Sequence, residues 1–169
     1  LLDEYGGDSN VLRQAETKLR NALEINPDEA AAHLEFARLA MLSAGQLDPA
    51  TLGRAEASIR RALAIAPEFG NAYVLLGYVL THAGRLSEAD AAFVQAQRAG
   101  ATSPWLESNL AELKDKQGQR QVAAEIFTRV AAAPAKSKDI RASALEWLQS
   151  FHTYTGQYDQ AELAYRSEI

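Results

Sequence analysis

The chain has 169 residues, of which 17 are Lys or Arg and 22 are Asp or Glu, so its formal net charge is −5 with the three His neutral. Its 47% hydrophobic and 23% charged residues are typical of a globular chain and exclude a disordered one. It contains no Cys, which excludes disulfides, thiolate nucleophiles and Cys-based metal sites, and its acidic balance argues against nucleic acid as a partner.

The composition also predicts the secondary structure. The chain contains 33 Ala, the residue with the highest helix propensity, and only five Pro. No segment alternates apolar and polar residues between turn signals, so no strand is predicted. No stretch approaches the roughly 18 uninterrupted apolar residues of a transmembrane helix, so we expect no membrane insertion. The chain is therefore predicted to be all-α.

A repeated helix runs through the chain. The segment AETKLRNALEINP at 15–27 returns as AEASIRRALAIAP at 55–67 and, less closely, in three later places. A small residue is followed four positions later by a bulky one and, in all copies but the last, by another small residue or Val three positions further on. This spacing places all three on one helix face. The three columns are Ala15, Ala55, Ala89, Ala123 and Ala161; Leu19, Ile59, Phe93, Phe127 and Tyr165; and Ala22, Ala62, Ala96, Val130 and Glu168.

A second predicted helix precedes these copies, so each repeat is expected to be an antiparallel helical hairpin of about 34 residues. Pro27 and Pro67 end the repeated helix, because Pro lacks the N–H that a helix interior needs. Asp48-Pro49 is typical of an N-cap followed by the first helical residue, which predicts a helix at least one turn longer than its equivalents. Three of the preceding helices end at a Gly in a left-handed cap: Gly84, Gly118 and Gly156.

The clearest copy of the repeat has the sequence NAYVLLGYVL from Asn71 to Leu80. The positions that match the repeat pattern continue at Gly84, Leu86, Ala89, Phe93 and Ala96. With Tyr73, Leu76 and Gly77 it carries an aromatic–x2–Leu-Gly core, and it resembles the tetratricopeptide repeat family, although Leu80 stands where Tyr is usual. The resemblance implies a right-handed superhelical solenoid of about four to five repeats in one domain. The expected segments are 1–27 (partial), 28–67 (with an insertion), 68–101, 102–135 and 136–169 (truncated).

Both ends of the repeat array look incomplete. Residues 1–5 can supply only the tail of a first helix, with Gly6-Gly7 as its turn. The last repeat stops about six residues short of a full period. We therefore expect the chain to be part of something longer, and the compartment, cytoplasmic or periplasmic, stays open.

No catalytic motif, cofactor or metal is predicted. The chain contains no GxxxxGK[ST], GxGxxG, HExxH or GxSxG sequence, and no two His are four residues apart on a helix. His33 and His152 are interpreted as core histidines with satisfied hydrogen bonds. His82 is expected on the groove side near Tyr78, where a binding role is a real alternative.

The resemblance implies that the first helix of each hairpin lines a concave groove. The side chains predicted to face it are Leu34, Arg38, Met41 and Leu42; Asn71, Val74, Tyr78, Thr81 and His82; Trp105, Ser108, Asn109, Glu112 and Lys116; and Ser143, Glu146, Ser150 and Tyr154. Met41 and Leu42 are expected to pack against the first partial repeat instead. Tyr78 and Trp105 are the candidate anchors, since aromatic side chains are enriched in binding hot spots, although Trp105 could equally be a packing plug.

From this lining we select Arg38, Asn71, Tyr78, His82, Trp105, Asn109, Glu112, Lys116 and Tyr154 as candidate partner-binding residues. One subclass of the family clamps C-terminal carboxylates with basic and Asn residues, but the matching positions here carry Leu34, Arg38, Leu75, Trp105 and Asn109, so that function is not expected.

The favoured hypothesis is a non-enzymatic scaffold whose groove binds a peptide or helix of another protein. The alternatives are a regulatory or targeting arm of a larger enzyme, and a structural module that forms homo-oligomers through its terminal repeats.

Overall fold

The computed structural model describes residues 9–44, 46–133, 137–157 and 159–161. These residues form the eight α-helices named below and three more helical residues at 159–161, and they form no strand, which confirms the all-α prediction. The helices are α1 (Ser9–Ile25), α2 (Ala30–Ala44), α3 (Pro49–Ile65), α4 (Gly70–His82), α5 (Leu86–Arg98), α6 (Leu106–Lys116), α7 (Arg120–Ala132) and α8 (Lys138–Tyr154). The chain divides into two compact units, Leu1–Ala101 and Thr102–Ile169.

Within each unit, helices that follow one another in the chain pack together. In the first unit α2 pairs with α3 and α4 with α5, while α3 also contacts α4 and α1 contacts α2. In the second unit α6 pairs with α7, and α7 also contacts α8. This is the predicted series of helical hairpins, with α1 as the second helix of a partial repeat and α8 as the first helix of the last repeat. The single domain over residues 1–169 stays a prediction.

The predicted start of α3 is confirmed. Asp48 has an extended conformation, with φ −72° and ψ 163°, and Pro49 is the first helical residue. The carboxylate of Asp48 accepts a hydrogen bond of 2.6 Å from the backbone N–H of Thr51. This hydrogen bond lowers the pKa of Asp48, because it favours the charged form. As expected, α3 is longer than α5 and α7, with 17 residues against 13 in each, but α1, the equivalent helix of the first partial repeat, also has 17.

The predicted left-handed caps are present in the three hairpins that carry them. Gly84 has φ +74°, and the next residue, Arg85, donates its backbone N–H to the carbonyl oxygen of Leu80 at 2.9 Å. This bond closes the last turn of α4 and lets the chain reverse within three residues. The equivalent glycines are Gly118, with φ +79°, and Gly156, with φ +75°.

The repeated columns form the core. Ala55, Ile59 and Ala62 of α3 have no exposed surface, and their equivalents in α5 and α7 are buried except for the half-buried Val130. Gly77 of α4 lies directly against the ring of Phe93, where a Cβ atom would come within 2.6 Å of two ring carbons. The predicted close contact between the two helices of this hairpin is therefore confirmed.

The columns are less well covered at the ends of the chain. In α1 the equivalent side chains, Ala15, Leu19 and Ala22, are only half-buried. Tyr165 and Glu168, the turn at Gly6-Gly7 and the helix tail at residues 1–5 lie outside the described residues. In the first unit α1 packs against α2, whereas α3 packs against both α2 and α4, so the columns of α1 are covered less than those of α3.

Candidate partner-binding surfaces

In the first unit, Tyr78 and His82 form a pair on one face of α4. Their ring centroids are 4.3 Å apart, with an angle of 56° between the ring planes. Their spacing of four residues brings them onto adjacent turns of the helix. Both are half-buried, in a helix whose other side chains are mostly buried. The expected neighbourhood of His82 and Tyr78 is confirmed.

The other two candidates of the first unit are also half-buried. Asn71 lies in the first turn of α4. On α2, the Nε atom of Arg38 is 3.5 Å from a carboxylate oxygen of Glu35, one turn earlier, but this buried atom makes no well-formed hydrogen bond. The two side chains can pair weakly with each other, and their charged ends keep contact with solvent.

Four side chains that were predicted to face the groove are instead buried, and these predictions were wrong. Leu34 and Val74 are 3% exposed, Thr81 is 2% exposed and Ser108 is 8% exposed. The reason is clearest in α4, which packs against both α3 and α5 and so buries a wider stripe than one contact would. Thr81 tolerates burial because its hydroxyl donates a 2.7 Å hydrogen bond to the carbonyl oxygen of Gly77.

The expected packing of Met41 and Leu42 is only partly found. Met41 is half-buried, but the side chain of Leu42 is 43% exposed, so the prediction for Leu42 was wrong. The two remaining histidines have hydrogen-bond partners, as expected. His33 Nε2 is 2.9 Å from the carbonyl oxygen of Pro27, and His152 Nδ1 is 2.7 Å from the side-chain oxygen of Gln157. Both residues are only half-buried, so the interpretation of them as core histidines was wrong.

In the second unit, four candidates lie along α6. Trp105 is the N-cap residue, and its carbonyl oxygen accepts the backbone N–H of Asn109 at 2.9 Å. Trp105, Asn109 and Glu112 are half-buried, and Lys116 is exposed, with its Nζ atom 4.0 Å from a carboxylate oxygen of Glu112. These positions allow the residues to meet a partner, and their binding role stays a prediction.

An aromatic cluster joins α7 and α8. The rings of Trp147 and Phe151 are stacked, with centroids 5.3 Å apart and an interplanar angle of 12°, and Phe127 packs on Trp147 at 4.8 Å. The indole N–H of Trp147 donates a hydrogen bond of 3.1 Å to Asp115 at the end of α6. The cluster therefore connects α6, α7 and α8.

Arg120, the first residue of α7, extends this cluster to the surface. Its guanidinium carbon is 5.9 Å from the ring centroids of Trp147 and Phe151 and 5.0 Å from that of Tyr154. Its Nε atom is 3.2 Å from Asp115 Oδ1. Tyr154, the last candidate residue, is 79% exposed and is thus brought next to a cation.

Sequence reasoning missed Arg120, Asp115 and Trp147. The spacing of Trp147, Phe151 and Tyr154 by four and three residues indicates an aromatic face on α8. That periodicity does not relate the face to an Arg on another helix. The sequence pattern could therefore have predicted the aromatic side chains of α8, but not their contact with Arg120.

Among the residues that the structure describes, no three His, Asp or Glu side chains are grouped so that they could hold a metal ion. None of the helices in these ranges is both long enough and apolar enough to cross a bilayer.

No family model and no curated protein sequence matches the chain. Solved structures do match its fold. PilW, a widely conserved type IV pilus biogenesis factor, has a TM-score of 0.73 and 24% identity over 93% of this chain and 68% of PilW. MamA has a TM-score of 0.65 and 15% identity over 89% of this chain and 82% of MamA. YrrB, a TPR protein with an unusual peptide-binding site, has a TM-score of 0.60 and 24% identity, over 89% and 72% of the two chains. At these identities the likeness shows the fold alone.

Proposed function

Because the chain has the fold of the tetratricopeptide repeat proteins, as its sequence predicted, we propose that it is a non-enzymatic scaffold that binds a segment of another protein. The bound segment is an extended peptide or a helix, and it lies on the first helices of the hairpins. The description of YrrB as a TPR protein with a peptide-binding site supports this class of ligand. The acidic net charge and the scattered basic residues favour a protein over a nucleic acid.

The observation that carries the proposal is the half-buried pair of Tyr78 and His82. A partly exposed aromatic side chain gives a large contact area and loses little rotamer entropy on binding. Here the two rings contact each other at 4.3 Å, so each limits the motion of the other before a partner arrives. Such prior ordering lowers the entropic cost of association.

In the second unit the proposed contacts are those of Trp105, Asn109, Glu112, Lys116 and Tyr154. They combine two aromatic side chains, one amide and two opposite charges. In the first unit, Arg38 and Asn71 accompany the aromatic pair. Each of these two sets fits a partner segment with apolar side chains spaced among polar ones, and a modest dependence on salt because few ion pairs are available to screen.

The experiment is capture of a partner from the source cell by the immobilised chain, followed by measurement of the affinity of the identified partner. Tyr78→Ala and Trp105→Ala are each expected to weaken binding about thirtyfold, since hot-spot aromatics typically contribute about 2 kcal/mol or more. The matched control is Glu125→Ala with Arg129→Ala, two exposed residues of α7, and it should bind as the native chain does.

Thermal melting of the same variants separates binding from packing. Equal loss of affinity in the α7 control would show that the surface has been assigned wrongly. A marked drop in the melting temperature of Trp105→Ala would show that Trp105 is a packing plug. Light scattering at several concentrations tests self-association, and a mass that grows with concentration would favour the alternative of a structural module.

A further inference from the structure

The guanidinium group of Arg120 lies over aromatic rings. Its carbon atom is 5.0 Å from the ring centroid of Tyr154 and 5.9 Å from those of Trp147 and Phe151. Among the described residues, the acid that contacts it is Asp115, at 3.2 Å from Nε, and this buried atom forms no well-aligned hydrogen bond. A guanidinium group has five N–H donors in one plane, and stacking on an aromatic ring leaves that plane available.

Another Arg near a hairpin turn, Arg85, has acids in contact with its outer donors and serves as a comparison. Arg85 follows Gly84, and it contacts Glu56 through Nη1 at 2.7 Å and Glu88 through Nη2 at 2.6 Å. Its Nε donates a further hydrogen bond of 2.7 Å to Glu88, and this pairing holds the pKa of Glu88 below its ordinary value. The equivalent outer donors of Arg120 have no such acids around them in the described residues of the second unit.

We infer that Arg120 and Tyr154 form an anchor for an acidic side chain, Glu or Asp, in the partner segment. The carboxylate would pair with the outer Nη donors in the bidentate geometry that suits a guanidinium group. An apolar side chain next to the acid would cover the exposed ring of Tyr154. The inference rests on the proposed function, because it names one contact of the segment that the scaffold binds.

The surroundings select a singly charged acid over other ligands. A ligand cation is disfavoured, because the protein's own cation already occupies the aromatic faces. A phosphate group carries up to two negative charges, and Asp115 lies close enough to Arg120 to repel the second one. A carboxylate brings a single negative charge, so Asp115 repels it less than a doubly charged phosphate, and the ring of Tyr154 shields the pair from water on one side.

The packing of Arg120 also prepares the anchor for binding. Three rings and one carboxylate restrict a side chain that would otherwise lose considerable rotamer entropy when a partner binds. Asp115 is itself held by the indole N–H of Trp147 at 3.1 Å. The aromatic cluster therefore positions the side chain of Arg120, and the outer N–H donors of Arg120 contact the carboxylate of the partner.

The test is an NMR titration of the full, isotope-labelled chain with capped peptides that differ only in the acid. The probes are acetyl-Ser-Leu-Glu-Leu-Ser-amide and the same peptide with Gln, so neither has a free C-terminal carboxylate. We expect the Glu peptide to shift the side-chain N–H signal of Arg120 and the ring signals of Tyr154, and to bind at least tenfold more tightly than the Gln peptide. Comparing two peptides on one protein makes the result independent of protein stability.

Two variants assign the effect to Arg120. Arg120→Lys keeps the charge but loses the planar fork, and it should remove most of the preference for Glu over Gln. Arg129→Lys, on the exposed end of the same helix, is the matched control and should leave the preference unchanged. Equal binding of the two peptides, an unchanged preference in Arg120→Lys, or no shift at Arg120 would each overturn the inference.

The outcome is distinguishable from failure of the proposed function. If Tyr78→Ala and Trp105→Ala abolish capture while the Glu and Gln peptides bind alike, the scaffold stands and the anchor is wrong. If the Glu preference is present while those variants capture the partner normally, the anchor stands and the wider surface is wrong. A phosphoserine peptide that binds more tightly than the Glu peptide would overturn the choice of a carboxylate.

Discussion

Replacing Gly77 with Leu is expected to destabilise the first unit by overpacking its central hairpin. A Cβ atom on Gly77 would lie 2.6 Å from Phe93 Cε1 and Cζ, whereas carbon atoms pack best at about 3.5–4.0 Å. Phe93 is 1% exposed, so its ring has no free space into which it could retreat. Overpacking of this kind costs about 1–3 kcal/mol. The higher helix propensity of Leu returns about 0.8 kcal/mol, which leaves a net loss of about 0.2–2 kcal/mol.

The assay is urea unfolding monitored by far-ultraviolet circular dichroism. At about 1–3 kcal/mol per molar urea, the expected loss lowers the midpoint of unfolding by up to about 2 M. The matched control is Gly53→Leu in α3, because a Cβ atom there meets nothing within 4 Å. This control should gain about 0.8 kcal/mol from helix propensity alone.

A second substitution tests the cause directly. In a Phe93→Leu background the ring is gone, so Gly77→Leu should cost at least about 0.5 kcal/mol less than in the native chain. If Gly77→Leu stabilises the protein, or costs the same in both backgrounds, then the contact between α4 and α5 does not have the geometry described above and the register of the hairpin is wrong.

Three further predictions follow from local geometry. Gly84→Ala should destabilise the first unit by about 1–2 kcal/mol in urea unfolding, because an L-residue is strained at φ +74°. Asp48→Ala should lower the melting temperature at neutral pH by removing the hydrogen bond to Thr51. Because the folded-state pKa of Asp48 is lowered, its carboxylate stabilises the fold above the ordinary pKa of 3.8, and this stabilisation is lost as the pH falls through the folded-state pKa. The melting temperatures of the native and variant proteins should therefore converge in acid. Asp115→Ala should destabilise the second unit by about 1–3 kcal/mol and shift the fluorescence of Trp147, whose indole N–H loses its acceptor; an unchanged emission spectrum would contradict that contact.

The hairpins could be predicted from the sequence because local chemistry sets them. A small, a bulky and a small residue at spacings of four and three define a helix face wherever they occur, and Ala89, Phe93 and Ala96 are all buried as expected. The end of α4 at Gly84 and the start of α3 at Asp48-Pro49 each depend on the backbone preferences of one or two residues.

The width of the buried face could not be predicted in this way. Val74 and Thr81 stand at positions that the repeat pattern assigns to the groove, yet both are buried. Whether such a position is covered depends on how many helices contact α4 and on how closely they approach, and the close approach at Gly77 is part of the cause. The spacing of apolar residues defines the face of a single helix, but it does not give the distance from that helix to its neighbours.

Part of the candidate site could also be predicted from helical spacing. The sequence places Tyr78 and His82 on one helix face and Tyr154 on the first helix of its repeat. That Arg120 lies over Tyr154 could be seen only in the folded chain, because these two side chains belong to different helices and no spacing along the chain relates them. Interactions within one helix follow from its fixed rise and turn, whereas a contact between helices exists only once their packing has set the distance between them.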